Sequence, residues 1–282
     1  MENDTTRRRA ALATYVASLH HYDIDGFPAG DHVGLPSTTV TLVIPVDEPL
    51  DLSMPQPTRR RLSICLAGLH DGPATIHHNG TQRGIQLALS PLNLGRLLGV
   101  PASEIAGEAV ELGDVIGHRA AETLSDRVTT ESGWPLRRRL VEDALLRQLD
   151  RHEHGRGVRP EVERAWALLS DSRGTTRVRD VARDVGWSTR HLMQEFNAAT
   201  GLAPKTVARI MRFERSTALV AKGDGLSLVA SRCGFADQAH MTREWQRLAG
   251  TTPGRWMDQD VLANVQDSRG DQREDRRHDS TK

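Results

Sequence analysis

The side chains best placed for chemistry lie in two stretches 48–49 residues apart. The first offers Arg190, Met193, Gln194 and Asn197, and the second Gln238, Ala239, Thr242, Arg243 and Gln246. On a helix each set shares the face opposite the apolar residues, Leu192 and Phe196 in one stretch, Met241 and Trp245 in the other. Such a face suits base-pair edges, because arginine donates bidentately to guanine and glutamine pairs with adenine. Other candidates are weaker. His20, His21, His32, His70, His77 and His78 invite a metal, but neighbours such as His77 and His78 point to opposite faces of a strand and cannot readily share one ion. No glutamate completes a metal set at suitable spacing, so these histidines are read as exposed or hydrogen-bonded loop residues. The chain has no nucleophile elbow, phosphate loop or zinc-ligand spacing. The expectation is therefore readout without catalytic residues, metal or cofactor.

The elements that must position these faces are helices, and the chain spells them out twice. VARDVGWSTRHLMQEFNAATGLAP, from Val181 to Pro204, is answered by VASRCGFADQAHMTREWQRLAGTTP, from Val229 to Pro253. Val181-Ala182 matches Val229-Ala230, and Gly186-Trp187 matches Gly234-Phe235. After one inserted residue, Leu192, Phe196, Gly201 and Pro204 match Met241, Trp245, Gly250 and Pro253. Each copy reads as a helix-turn-helix. Val178, Val181, Ala182 and Val185 form the apolar stripe of a short helix in the first copy, and Leu226, Val229, Ala230 and Cys233 do so in the second. Gly186 and Gly234 end these helices. Ser188 or Thr189 caps the next helix in copy one, and Asp237 in copy two. The predicted second helices run over Ser188–Ala198 and Asp237–Ala249. Residues 159–257 carry 16 Lys/Arg against 10 Asp/Glu, a net of +6, whereas the whole chain balances at 37 against 37. A basic region on a neutral chain is the footprint of a nucleic-acid binder.

From about Glu161 to Trp256 the chain resembles the AraC family of bacterial transcription regulators. The resemblance rests on RVRDVARDVGWSTRHLMQEF, the connecting MRFERSTALV, and GFADQAHMTREWQRLAGTTPGRW. It implies two helix-turn-helices joined by a long helix, here about Pro204 to Ala221 with Ile210, Phe213, Thr217 and Val220 inward. Trp245 stands where the family often has Phe. The resemblance also implies a cupin-like effector or dimerisation domain upstream, although no residue motif there anchors it.

That upstream region, 1–154, reads as a mixed β/α domain, so the fold class is α+β. Thr38–Ile44, Leu62–Leu69, Ala74–His77 and Gly84–Leu89 are β-rich runs punctuated by Pro and Gly, which suggests a small barrel or sandwich. From Pro91 to about His154 the pattern is helical. Trp134-Pro135 opens a helix with Leu136, Leu140, Ala144, Leu145 and Leu149 inward, and Arg137-Arg138-Arg139 is read as a solvated face. His152–Gly157 is the expected linker, 155–257 the DNA-binding domain, and 258–282 a disordered tail; Thr5–Arg9 reads as a frayed terminus. Cys65 and Cys233, the only cysteines, read as buried thiols. With no signal peptide or run of 18 apolar residues, the expected location is cytoplasmic and nucleoid-associated.

The function expected is a sequence-specific, DNA-binding regulator of transcription and not an enzyme. Two recognition helices of one chain would enter successive major grooves about 34 Å apart. Arg190, Gln194, Gln238 and Arg243 are expected at base edges. Thr189, His240 and Thr242 are expected at phosphates, with the first residues of each helix, Ser188 and Asp237, beside them. Double-stranded promoter DNA is the partner. RNA polymerase, a small-molecule effector and a second copy of the chain follow from the regulator reading, and no membrane does. Activation and repression stay open. The rival readings are an enzyme or repair protein with an AraC-like targeting domain, and a non-specific architectural protein.

Overall fold

The computed structural model describes residues 10–55, 59–152, 155 and 157–259. The terminus before residue 10, three linker residues and the tail past residue 259 lie outside the described residues.

The N-terminal part is built on two antiparallel sheets. In spatial order one contains β1 (Val16–Ile24), β8 (Gln82–Leu89), β3 (Val40–Pro45), β6 (Cys65–Ala67) and β9 (Ala109–Glu111). The other contains β2 (Gly30–Gly34), β7 (Ala74–His78), β4 (Leu50–Ser53) and β5 (Arg59–Leu62). The larger sheet is a middle layer. Its Val43 and Cys65 pack against Leu52, Leu62 and Ala74 of the smaller sheet. Leu42, Ile44, Leu66 and Leu87 point the other way, onto helices α1 (Leu94–Leu98), α3 (His118–Thr130) and α4 (Trp134–Arg151), with the short α2 (Leu112–Ile116) at the edge. Burial on both faces explains why β3 is nearly all apolar rather than alternating.

Three expectations need correction here. The run Leu62–Leu69 is not one strand. It breaks at Ser63–Ile64, whose N–H groups donate to the Glu111 carboxylate, and its two halves join different sheets. The histidines are not mainly in loops, for His20, His21, His32, His77 and His78 all lie on strands and His32 is buried. In α4 the inner stripe runs through Val141, Ala144 and Leu145, whereas Leu136 is exposed and Arg137 is buried. Arg137 Nε donates to Val128 O and Glu131 O, capping the carbonyl end of α3, and its guanidinium lies 4.5 Å from the Trp134 ring centroid. Only Arg138 and Arg139 form the solvated face.

The C-terminal part is all helical: α5 (Pro160–Asp171), α6 (Val178–Asp184), α7 (Thr189–Thr200), α8 (Pro204–Ala221), α9 (Leu226–Arg232), α10 (Gln238–Ala249) and α11 (Pro253–Gln259). It has two cores. Val162, Leu169, Val181, Leu192, Phe196 and Val207 form one, and Phe213, Val229, Phe235, Met241, Trp245 and Trp256 the other. The linking helix α8 spans the predicted Pro204–Ala221 and contributes to both. Its buried position beside Phe213 and Val220 is Ser216 rather than Thr217, because Ser216 Oγ accepts the Trp245 indole N–H at 2.8 Å.

The two parts meet along a seam. The Thr38 N–H and hydroxyl both donate to the Glu214 carboxylate, each at 2.8 Å. Asp71 receives Arg209 at 3.0 Å and Arg247 at 3.4 Å. Gly201, at φ 78°, ends α7 where an added Cβ would overlap Ala106. Leu92 and Leu35 each cover one helical core.

Candidate nucleic-acid interface

Each unit has the same local construction. The α6–α7 and α9–α10 turns pivot on Gly186 and Gly234, both at φ 73°, a conformation that side chains with a Cβ rarely adopt. The Ser188 hydroxyl accepts the His191 N–H at 3.2 Å, and the Asp237 carboxylate accepts the His240 N–H at 2.6 Å, so both predicted caps are formed. Leu192 and Phe196 anchor α7, and Met241 and Trp245 anchor α10, all fully buried. Behind the turns, Trp187 lies 4.6 Å from the His191 ring and Phe235 5.6 Å from His240. Phe196, Phe235 and Trp245 are buried as expected, whereas Trp187 is half-buried.

The opposite faces are open. Ser188, Thr189, Arg190, Met193, Gln194 and Asn197 are exposed on the first unit, and Asp237, Gln238, Ala239, Arg243 and Gln246 on the second. Arg190 and Arg243 form no ion pair among the described residues. Each recognition helix carries one carboxylate, and in each it is drawn sideways. Glu195 pairs with Arg159 at 3.1 Å, and its counterpart Glu244 lies 3.3 Å from Arg209, too bent for a hydrogen bond. Neutralising both removes charge that would repel phosphate.

Some candidates are engaged within the protein. His240 Nδ1 accepts the Ala236 N–H at 3.2 Å, which ties the imidazole to the turn. The Thr242 hydroxyl donates back to Gln238 O at 2.9 Å. The Gln238 amide oxygen accepts the Ser227 hydroxyl at 2.8 Å, leaving its NH2 group to donate. Sequence periodicity missed Arg247. It follows Arg243 by one helical turn on the same face, but its partner Asp71 comes from the other end of the chain.

No group of three or more metal-ligating side chains gathers among the described residues, and no described helix is long and apolar enough to cross a membrane. Cys65 and Cys233 are both unpaired and buried, in separate cores. Burial pushes the Cys65 thiol up to about 12, with the nearby Glu111 charge adding to the shift.

The chain is similar in fold to ToxT from Vibrio cholerae. One ToxT structure matches 86% of this chain and 98% of its own at 12% identity, with a TM-score of 0.52. A second, from Vibrio cholerae O395, matches 87% and 98% at 11% identity, with a TM-score of 0.50. At this identity the likeness is one of architecture: a two-sheet N-terminal part followed by a helical part. No curated protein matches the sequence. Residues 181–259 match the model of a helix-turn-helix domain, and with the duplicated geometry above they make the C-terminal part of this chain the AraC-type double helix-turn-helix domain of a DNA-binding transcription regulator.

Proposed function

We propose that this chain reads one asymmetric promoter site with both of its recognition helices, α7 and α10, in successive major grooves. The observation that carries this is the duplicated outward face. Arg190 and Arg243 stand exposed and form no ion pair among the described residues, while the single carboxylate of each helix is held aside by Arg159 or Arg209. Arg190, Gln194, Gln238 and Arg243 read bases. Thr189, Thr242 and the capped helix starts at Ser188 and Asp237 meet phosphates. His240, tied to Ala236 N–H, orients the turn before it offers anything to DNA. Because the two faces differ, the half-sites differ.

Residues 155–257 form the reading domain, and 1–154 sense an effector, dimerise, or do both. RNA polymerase is the partner through which transcription responds, and the protein works beside the nucleoid. The repair-enzyme alternative is disfavoured by the Cys65 thiol, which burial keeps protonated and non-nucleophilic.

Selection of bound duplexes from a random pool, followed by footprinting, tests the reading. The expected result is one asymmetric sequence protected over two adjacent turns on one DNA face, resistant to competition by unrelated DNA. Equal competition by any duplex would identify a non-specific binder and refute it.

A further inference from the structure

The tip of the second recognition helix is tied down more firmly than the tip of the first. Gln238 is the first residue of α10. The turn it projects from is fixed by three hydrogen bonds: the Asp237 carboxylate accepts the His240 N–H, the Ala236 N–H donates to His240 Nδ1, and Gln238 O accepts the Thr242 hydroxyl. Its side chain is held as well, by a residue of the neighbouring helix. Ser227, exposed in the first turn of α9, donates its hydroxyl to the Gln238 amide oxygen at 2.8 Å. The first unit has no such tie. The counterpart of Ser227 is Arg179, which turns to Asp180 at 3.7 Å. The counterpart of Gln238 is Thr189, whose hydroxyl makes no hydrogen bond among the described residues. The His191 ring, counterpart of His240, meets Trp187 edge-on and makes no hydrogen bond among the described residues.

We propose that Ser227 is a positioning residue that sets the base preference of Gln238. An unrestrained glutamine amide can turn over and present either its oxygen or its NH2 group to a base. The Ser227 hydroxyl takes one lone pair of the oxygen, which holds that oxygen toward α9 and leaves the NH2 group as the leading donor. Such a donor suits a base with an acceptor on its major-groove edge, N7 of a purine or O4 of thymine. Adenine fits fully, since the second lone pair of the amide oxygen is free to accept its N6–H. Cytosine, whose edge offers only a donor, is rejected. The tie also orders a side chain that would otherwise lose its freedom on binding, so the second unit meets DNA with this contact already arranged. The inference rests on the proposal that Gln238 reads a base, and it adds the residue that decides which base.

The full-length protein and a duplex obtained by the selection described above supply the test. All four base pairs are placed in turn at the position whose preference Gln238→Ala relaxes, and affinities are read by fluorescence anisotropy. The wild-type protein should bind cytosine there at least about tenfold more weakly than adenine. Ser227→Ala should shrink that gap by about fivefold, while affinity for unrelated DNA, preference at the other positions and the thermal midpoint stay unchanged. Ser227→Thr keeps the hydroxyl and should keep the gap. Ser227→Ala in the Gln238→Ala background should change nothing further, since the hydroxyl acts only through the amide. An equal loss over all four base pairs would make Ser227 a phosphate contact, and a wild-type preference for cytosine would put the amide the other way round; either result overturns the proposal. So does a gap that Ser227→Ala leaves intact, and in that case the reading of a base by Gln238 still stands. If Gln238→Ala relaxes no position, that reading falls, and the role of Ser227 falls with it.

Discussion

The second recognition helix depends on one ring. Trp245 is 0% exposed, lies 5.1 Å from Phe213 and 5.4 Å from Trp256, and donates its indole N–H to Ser216. Trp245→Ala removes a fully buried tryptophan from its core and should cost about 3–5 kcal/mol. Ser216→Ala leaves the indole N–H buried with no acceptor, a loss of about 1–3 kcal/mol. Trp245→Phe removes the donor, so Ser216→Ala in that background should cost little more. The two changes should therefore be coupled by about 1 kcal/mol or more. For a domain of about 100 residues each kcal/mol lowers the thermal midpoint by roughly 4–8 °C, which calorimetry resolves readily. DNA binding should fall in step with the unfolded fraction and return on cooling below the transition. Additivity of Ser216→Ala and Trp245→Phe within about 0.5 kcal/mol would refute the buried hydrogen bond. A normal midpoint in Trp245→Ala with DNA binding lost would refute the inward placement of the ring.

Arg243→Ala should cost about 1–3 kcal/mol on the true site and relax preference at one or two base pairs, with Arg190→Ala acting likewise at the other half-site; a uniform loss over all sequences would make either a phosphate contact. A fragment of residues 157–258 contains both helical cores and should fold alone, bind one site as a monomer and lose affinity steeply with salt, whereas a stoichiometry of two fragments per site in sedimentation would contradict reading by a single chain. Its stability should be slightly below that of the same helices in the full chain, because Leu35 and Leu92 no longer cover them. His32 is 5% exposed, and neither ring nitrogen has a hydrogen-bond partner among the described residues; burial first and the neighbouring His78 second hold its pKa down at about 4. Its folded-state pKa lies below the unfolded value near 6.5, so the unfolded chain binds the extra proton. Stability is then full above about pH 6.5 and falls by roughly 3 kcal/mol as pH drops to 4, with half-buried His70 shifting in the same direction. Urea midpoints that stay flat from pH 7 to pH 4.5, or that keep their slope in His32→Phe, would remove His32 from that role.

The helical part was legible because its signals are local. Gly186 and Gly234 mark turns that only a left-handed residue closes, Ser188 and Asp237 cap the N–H groups three residues on, and Pro204 opens a helix whose apolar spacing persists to Val220. Each involves partners within a turn or two, where composition and period suffice. Duplication then made the outward faces readable by comparing one copy with the other. The N-terminal part resisted because its determinants are distant in sequence. β1 reads VASLHHYDI, too polar to announce a strand, and becomes one by pairing with β8 more than 50 residues on. The Leu62–Leu69 run looked continuous, yet Glu111 caps its midpoint and divides it between sheets. The burial of His32 and Arg137, the choice of Ser216 over Thr217, and the seam joining Asp71 to Arg209 and Arg247 were likewise decided only by the tertiary structure. A periodic pattern reports which face of an element is apolar, but not which distant donor or acceptor waits there, and that partner determines whether a polar group can be buried.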